Sequence, residues 1–200
     1  MLGGTRAFIA VELSEEVKTE LVRLQTVLKR SVCCPVRWVV PENTHLTLCF
    51  LGEINQTQIE AVQGVVAEIG TRFAPLRMEM AQPGAFPNLA QPQTLWIGLG
   101  GEQKALSRLQ HCLEVALQVV GYKADDRLFS PHLTVARVQS EAAPDVRRDL
   151  GEALRNFEVA PMGVAVTELC LMKSVLRPTG AVYTCLDRVK LSGTGAASET

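Results

Sequence analysis

The sequence predicts an α+β fold whose two halves repeat one architecture. First, four segments with helical spacing of their apolar residues are interspersed with strand-like runs. Second, these runs end in a hairpin, and a mixed order with hairpins argues against a doubly wound parallel sheet. Third, each half contains helices and one copy of a His-Leu-Thr-aliphatic motif, at residues 45–48 and 132–135.

Four helices follow from the apolar periodicity. The first begins after Ser14, a residue type that caps helices, and is followed by acidic residues that suit a helix N-terminus. The second is expected from about 57 to 69, the third from about 102 to 120, and the fourth after Pro144. The apolar faces comprise Val17, Leu21, Leu24 and Leu28; Ile59, Val62, Val66 and Ile69; Leu106, Leu109, Leu113 and Leu117; and Val146, Leu150, Leu154 and Phe157.

Seven strand-like runs account for most of the remaining chain. Residues 177–180, Arg-Pro-Thr-Gly, are typical of the turn in a terminal hairpin. Residues 81–94 contain three prolines and no charged residue, so we expect the chain to cross between its halves there. One domain is expected over residues 1–191, followed by a disordered tail at 192–200. The runs are 6–13, 45–51, 76–81, 94–99, 132–138, 164–172 and 182–191.

Composition and charge restrict the classes of partner. The hydrophobic fraction of 47% and the charged fraction of 20% are those of an ordinary globular protein. The net charge of −1 provides no broad basic field for gripping a long nucleic acid through many phosphates. An RNA partner is therefore expected to be held by one end or by a single nucleotide.

The amino terminus and the cysteines predict a cytoplasmic protein. The first apolar run is too short for a secretory signal, and no run approaches the ~20 residues of a membrane span, so no membrane partner is expected. The six cysteines form no CxxC pair and are expected to be reduced thiols, mostly in the core. We expect a monomer.

The repeated motif carries the chemistry. In a strand, residues two apart lie ~6.6 Å apart on the same face, so His45 and Thr47 point together, as do His132 and Thr134. The intervening aliphatic residues anchor the opposite face in a core. An imidazole can exchange a proton near neutral pH, and a hydroxyl can donate a hydrogen bond without titrating. Each motif can therefore bind one phosphate and provide acid–base catalysis.

The motifs and their surroundings resemble the two-histidine phosphoesterase superfamily, and within it the RNA 2′,3′-cyclic phosphodiesterases, historically called 2′-5′ RNA ligases. The resemblance covers about residues 5–191 and includes "RAFIAVELSEEV", "VRWVVPENTHLTLCFLGE", "TLWIGL", "RLFSPHLTVAR" and "SVLRPTGAVYTCLDRVKL". It implies a bilobal fold with two pseudo-symmetric lobes, each with an antiparallel sheet and helices. The active-site cleft would lie between the two motif-bearing strands.

The same resemblance implies a reaction and its residues. A 2′,3′-cyclic phosphate, on an RNA 3′ end or a small cyclic nucleotide, would be opened to a 2′-phosphomonoester without a metal or other cofactor. His45 would be the proton donor and His132 the proton acceptor. Thr47 and Thr134 would hold the non-bridging phosphate oxygens.

Three arginines near the motifs have open roles. The family often has an arginine at the position of Arg137, which implies a phosphate contact. Strand alternation instead places Arg137 on the face of Leu133, away from the motif histidine, unless the strand twists or bulges; a peripheral salt bridge is the alternative. Arg37 and Arg127 precede the motifs and are expected on a solvated face or near the RNA backbone.

Aromatic residues beside the motifs have two interpretations each. Trp38 and Phe129 can stack on a nucleobase or pack in the core. By strand alternation, Phe50 shares the face of Leu46 and is expected in the core. His111 lies opposite the apolar face of its helix and is expected to be exposed to solvent.

Three other functions stay open at the level of sequence. The cleft can bind a nucleotide such as AMP without turning it over, although binding alone needs no acid–base pair. His45, Cys49 and His132 can form a metal site if they converge, although close ligand spacing such as HxxxH or CxxC is absent. The same acid and base can also join RNA through a 2′-5′ linkage or open another cyclic phosphodiester.

Overall fold

The computed structural model describes residues 4–31, 35–123, 128–177 and 180–194. These residues form four helices and nine strands. The helices are α1 (Glu15–Ser31), α2 (Gln56–Arg72), α3 (Gln103–Val119) and α4 (Pro144–Arg155). The strands are β1 (Thr5–Glu12), β2 (Val36–Trp38), β3 (His45–Ile54), β4 (Leu76–Phe86), β5 (Thr94–Gly101), β6 (His132–Val138), β7 (Gly163–Val166), β8 (Glu168–Arg177) and β9 (Gly180–Lys190).

The strands form two matching groups within one antiparallel sheet. The order is β7-β4-β5-β6-β3-β1-β8-β9, and β2 pairs with β6 outside this path. We call β3, β1, β8 and β9 lobe 1, and β6, β5, β4 and β7 lobe 2. Each lobe has a motif-bearing strand innermost and three further strands outside it. The predicted bilobal α+β fold is confirmed.

The two lobes meet where β3 pairs with β6. The register there pairs Leu46 with Leu133, and both side chains are fully buried. Each leucine is the middle residue of its His-Leu-Thr motif. An antiparallel register centred on these residues places each motif's histidine opposite the other motif's threonine.

The helix predictions are confirmed to within a few residues. Ser14 Oγ accepts a hydrogen bond from Val17 N at 3.4 Å at the start of α1. A reciprocal capping box between Asn55 and Gln58 fixes the start of α2. The predicted apolar faces of the helices pack with buried sheet residues in one core. Ile59 of the second face and Val146 and Phe157 of the fourth are only partly buried. None of the helices within the described residues has the length and apolar character of a membrane span.

Two strand predictions differ from the structure. The run 164–172 divides at Thr167 into β7, which pairs with β4, and β8, which pairs with β1, so the chain passes between lobes at that residue. Strand β2 has no counterpart in the prediction because three residues are too few to show periodicity. Its extended form depends on pairing with β6.

Residues 81–94 do not form the expected crossing. Strand β4 continues through Phe86, and the following residues return the chain to β5, its antiparallel neighbour within lobe 2. Arg147 of α4 donates a hydrogen bond to Pro92 O at 2.8 Å and so ties this connection to the helix. The prolines mark a hairpin connection whose two ends belong to the same lobe.

Other predictions lie wholly or partly outside the described residues. These include most of the tail at 192–200, the central turn residues 178 and 179, and Arg127. Cys33 and Cys34 lie outside as well. The cysteines within the described residues are free thiols, of which Cys49 and Cys170 are buried.

A pair of helix glycines tests the packing of α4 against the β4–β5 connection. A Cβ on Gly151 would overlap the backbone carbonyl of Leu89, whereas a Cβ on Gly64 in α2 would meet nothing within 4 Å. We therefore expect Gly151→Ala to lower the free energy of unfolding by ~1–3 kcal/mol through overpacking. Gly64→Ala should raise it by ~0.5–1 kcal/mol, since alanine favours helix. Urea denaturation of both variants measures this contrast, and equal effects would contradict it.

Candidate active site

A β-bulge follows the threonine of each motif. In β3, Thr47 pairs with Ala10 and Cys49 with Ile9, which leaves Leu48 as the extra residue. In β6, Thr134 pairs with Trp96 and Ala136 with Leu95, which leaves Val135 as the extra residue. Because side chains alternate along a strand, one extra residue moves everything beyond it to the opposite face.

The bulges bring Phe50 and Arg137 to the face of the histidines. Both residues are exposed, and each lies five positions after its motif histidine. The expectation that Phe50 packs in the core is wrong, because 62% of its surface is exposed. For Arg137, the bulge overrides the simple alternation that pointed it away from His132. The two residues occupy equivalent positions in the two lobes.

One cleft of ≈1490 Å³ contains all the residues predicted for the site. Its lining includes both histidines and both threonines of the motifs, which come from the two innermost strands. The other predicted residues lie around them. The predicted residues in the lining are Trp38, His45, Thr47, Phe129, His132, Thr134 and Arg137.

Both histidines are oriented by a backbone carbonyl two residues earlier. His45 Nδ1 lies 2.9 Å from Asn43 O, and His132 Nδ1 lies 2.7 Å from Ser130 O. A carbonyl oxygen only accepts hydrogen bonds, so Nδ1 carries the proton in each neutral ring. Nε2 is then the ring nitrogen that can exchange a proton with a bound molecule.

His45 is packed between two aromatic rings. Phe8 stacks on it with ring centroids 4.7 Å apart, and Tyr183 contacts it edge-on at 5.0 Å. Burial lowers the pKa of His45 to about 4, although the hydrogen bond to the backbone and the carboxylate of Glu12 act in the opposite direction. The free protein therefore holds this imidazole neutral at pH 7.

His132 has a similar aromatic setting in lobe 2. Phe86 meets its ring edge-on at a centroid distance of 4.9 Å, and Trp96 lies 6.1 Å away. Burial also lowers the pKa of His132, and the positive charge of Arg137 lowers it further. Both rings are thus held in place by aromatic contacts and by a carbonyl at Nδ1.

The charges beside the two histidines differ. Glu12 of β1 is the residue opposite His45 in the strand register. The residue opposite His132 is Gly98 of β5. Glu12 is also ion-paired with Arg188 on β9, so its carboxylate is held in position. The symmetric framework therefore places a negative group beside one histidine and a positive group, Arg137, near the other.

Trp38 and Phe129 are partly buried against the main core while also bordering the cleft. Lys29 Nζ of α1 lies 5.2 Å from the centroid of the Trp38 ring, on the helix side of the sheet. These contacts favour the core-packing interpretation for Trp38. His111 on α3 is exposed, as expected.

The bulge in β3 also changes the position of Cys49. Simple alternation places it on the face of His45, but the extra residue turns it into the core beside the helices. Burial raises the pKa of its thiol to about 12. Across the described ranges, no group of three or more His, Cys, Asp or Glu side chains is placed to hold a metal ion.

The prediction from sequence missed several residues around the two histidines. Glu12 and Tyr183 reach His45 only through the pairing of β1, β8 and β9, and no local motif marks them. Phe86 was also missed, because the proline-rich segment around it does not resemble a strand. Phe50 carried one usable signal, its five-residue offset from the histidine, which is the offset of Arg137.

Comparison with known proteins is consistent with this geometry. Residues 11–96 and 97–183 each match the family described as LigT-like phosphoesterase. The chain is 33% identical to the RNA 2′,3′-cyclic phosphodiesterase of Methanothermobacter thermautotrophicus, over 93% of this chain and 98% of that protein. It is 32% identical to the protein of the same name from Archaeoglobus fulgidus, over 89% and 96%.

Solved structures with the same fold superpose on nearly the whole chain. A protein from Thermus thermophilus superposes with a TM-score of 0.78 at 28% identity, over 95% of this chain and 100% of that chain. E. coli LigT in complex with 3′-AMP superposes with a TM-score of 0.74 at 25% identity, over 94% and 99%.

The orientation of the histidines can be tested by NMR. We expect both neutral imidazoles to carry the proton on Nδ1, because each faces a carbonyl there. We also expect His132 to titrate below pH 6.5 and His45 near pH 4. ¹⁵N-detected spectra of the ring nitrogens across pH report both properties, with His45→Asn and His132→Asn assigning the signals. A proton on Nε2 in the neutral rings would contradict the geometry.

Proposed function

The chain belongs to the family of LigT-like phosphoesterases, and on that premise we propose that it hydrolyses the 2′,3′-cyclic phosphate of an RNA 3′ end or a small cyclic nucleotide to a 2′-phosphomonoester. The observation that carries this proposal is the pairing of the two motifs at their middle leucines. We infer from that register that the two imidazoles and the two hydroxyls converge on one phosphate. We further propose that residues 1–191 act as one catalytic domain.

In the proposed step, neutral His132 takes a proton from a water molecule as the water oxygen attacks phosphorus. The bond from phosphorus to the 3′ oxygen breaks, and protonated His45 donates its proton to that oxygen. The phosphate remains on the 2′ oxygen. Solvent exchange then returns a proton to His45 and removes one from His132, so the enzyme is unchanged after each turnover.

The charge asymmetry of the site supports this division of roles. The carboxylate of Glu12 favours the protonated form of His45, and the guanidinium of Arg137 favours the neutral form of His132. Burial opposes the acid role, since it holds the pKa of free His45 near 4. A bound phosphate is anionic and shifts the balance back towards the imidazolium, so the acid forms in the complex.

The hydroxyls and aromatic rings complete the proposed site. Thr47 and Thr134 donate hydrogen bonds to the two non-bridging oxygens and stabilise charge that develops in the transition state. Exposed Phe50 provides a surface on which a nucleobase can stack. Trp38 and Phe129 remain secondary candidates for base contact. The monomeric state and the cytoplasmic location also remain predictions.

Product analysis distinguishes this function from its alternatives. The substrate is an oligoribonucleotide ending in a 2′,3′-cyclic phosphate, with a strong chelator present in a parallel reaction. We expect a 2′-phosphate product at the same rate in both reactions. Binding without turnover would favour a nucleotide-binding module, and loss of activity with the chelator would favour a metal hydrolase. A 2′-5′ linked product from added 5′-hydroxyl RNA would favour ligation.

Removal of either motif histidine should abolish most of the activity. We expect His45→Ala and His132→Ala each to lower kcat by at least ~100-fold, because each removes one proton transfer. His111→Ala, on the exposed face of α3, is the matched control and should retain wild-type kcat. Steady-state kinetics on the cyclic phosphate substrate measure the effect. Near-normal kcat in both motif variants would refute the mechanism.

The pH dependence of kcat/KM follows from the two pKa directions. The reactive state has His45 protonated and His132 neutral. It is a minor form of the free enzyme at pH 7, and its fraction, and with it kcat/KM, is greatest midway between the two pKa values. Burial lowers both pKa values below the ordinary value of about 6.5. We therefore expect a bell-shaped profile whose maximum lies below pH 6.5, with losses when His132 gains a proton or His45 loses one. A maximum above pH 7 would contradict these shifts.

A further inference from the structure

A second repeat accompanies the two His-Leu-Thr motifs in the sequence. The segment Arg-Leu-Gln-x-x-Leu occurs at residues 23–28 of α1 and again at residues 108–113 of α3. The spacing between these copies matches the spacing between the two motifs to within two residues. The glutamines of the copies, Gln25 and Gln110, are both buried, whereas glutamine is mostly an exposed residue type.

Gln25 donates hydrogen bonds to two backbone carbonyls. Its Nε2 lies 2.7 Å from Val39 O and 3.0 Å from Val135 O. Val135 is the extra residue of the bulge in β6, directly after the motif threonine. Val39 N also donates to Val135 O, at 2.9 Å. A helix in the first half of the chain therefore holds the bulge that follows the motif of the second half.

Gln110 makes the reciprocal contact. Its Nε2 donates a hydrogen bond to Leu48 O at 3.5 Å, and Leu48 is the extra residue of the bulge in β3. A helix in the second half of the chain therefore reaches the motif of the first half. The two crossed contacts connect the halves in addition to the pairing of Leu46 with Leu133.

The two bulges explain why buried amides are needed at these places. A bulge disrupts the hydrogen-bonding ladder at its extra residue, and a buried carbonyl there needs a donor from elsewhere. The amide of glutamine provides that donor and does not titrate. If these positions only filled space, leucine would serve as well, since leucines form most of the buried face of both helices. The donor group, rather than the volume of the side chain, is thus the feature that both copies share.

We propose that Gln25 and Gln110 are positioning residues, each of which holds the bulge after the motif threonine in the opposite half of the chain. Each amide fixes the place at which the strand gains its extra residue, and hence which of the following side chains face the cleft. The consequence for catalysis rests on the proposed function, whereas the holding of the bulges does not.

Hydrogen exchange of side-chain amides tests the contacts in the unmodified protein. The Nε2 protons of Gln25 and Gln110 should exchange ~10-fold or more slowly than those of Gln118, which is exposed on α3. NMR spectra assigned with single glutamine variants measure these rates. Exchange at the rate of Gln118 in both buried glutamines would overturn the proposal, even if no variant folded.

Thiol labelling reports on the two bulges separately. Buried Cys49 follows the bulge of β3, and Ala136 has the equivalent place in β6, so Ala136→Cys adds a matching thiol. In that background, Gln110→Met removes one donor and should speed labelling of Cys49 by ~10-fold or more without affecting position 136. Gln25→Met should speed labelling at position 136 and leave Cys49 unchanged.

Two references separate a local change from general unfolding. Cys170 of β8 is fully buried, so its labelling rate reports opening of the whole fold and should stay low in both variants. Gln118→Met is the matched control and should leave all labelling rates unchanged. We also expect Gln25→Met and Gln110→Met to lower kcat on the cyclic phosphate substrate by ~10–100-fold, because the groups around the phosphate are misplaced. Gln118→Met should retain wild-type kcat.

The outcomes that refute the proposal differ from those that refute the proposed function. Equal acceleration at position 136, Cys49 and Cys170 would make the glutamines general stabilisers of the fold, and unchanged labelling would deny that they hold the bulges. Wild-type kcat in both methionine variants would refute the positioning role. Crossed labelling without any hydrolysis by the wild type would reject the proposed function and confirm that the glutamines hold the bulges.

Discussion

The pairing of Leu46 with Leu133 is the contact on which the site depends. It joins two groups of four strands that are otherwise separate in the sheet order, and it does so at the middle residue of each motif. Because the strands are antiparallel, the two motifs run in opposite directions, and the histidine of each lies opposite the threonine of the other. A shift of one residue would send one histidine and its threonine into the core. Burial of the two leucines, worth ~1.5–3 kcal/mol each, stabilises the register that the proposed mechanism requires.

The backbone arrangement around the motif histidine is the same in both lobes, but the charged residues beside the histidine differ. Each motif has the same carbonyl contact at Nδ1, the same bulge after the threonine and an aromatic setting for the ring. The neighbours differ, with Glu12 beside one histidine and Gly98 beside the other. In the proposed mechanism, symmetry provides two equivalent positions for proton transfer, and local charge makes them unequal. An acid and a base at equivalent places require such an inequality, since identical surroundings would give both the same pKa.

The bulges decide which side chains surround the motif histidines. Without them, Arg137 and Phe50 would lie in the apolar layer beneath the helices, where an unpaired guanidinium would be costly. With them, one lobe offers the cleft a cation and the other an aromatic ring. Bulges are frequent next to active sites because they re-aim side chains in this way while the rest of the strand keeps its pairing.

The sequence by itself determined the helices, most strands and the placing of an imidazole and a hydroxyl on one face in each motif. All of these depend on spacing along a short stretch of chain. Only the tertiary structure decided the facing of Phe50 and Arg137, the partner of each motif histidine, and the opposition of Arg37 to Arg137. The physical reason is that register and bulges are set by hydrogen bonding to neighbouring strands, which are distant in sequence. The alternation of side chains along a strand predicts which face of the sheet a residue occupies only up to the first bulge, where a residue has no partner on the neighbouring strand.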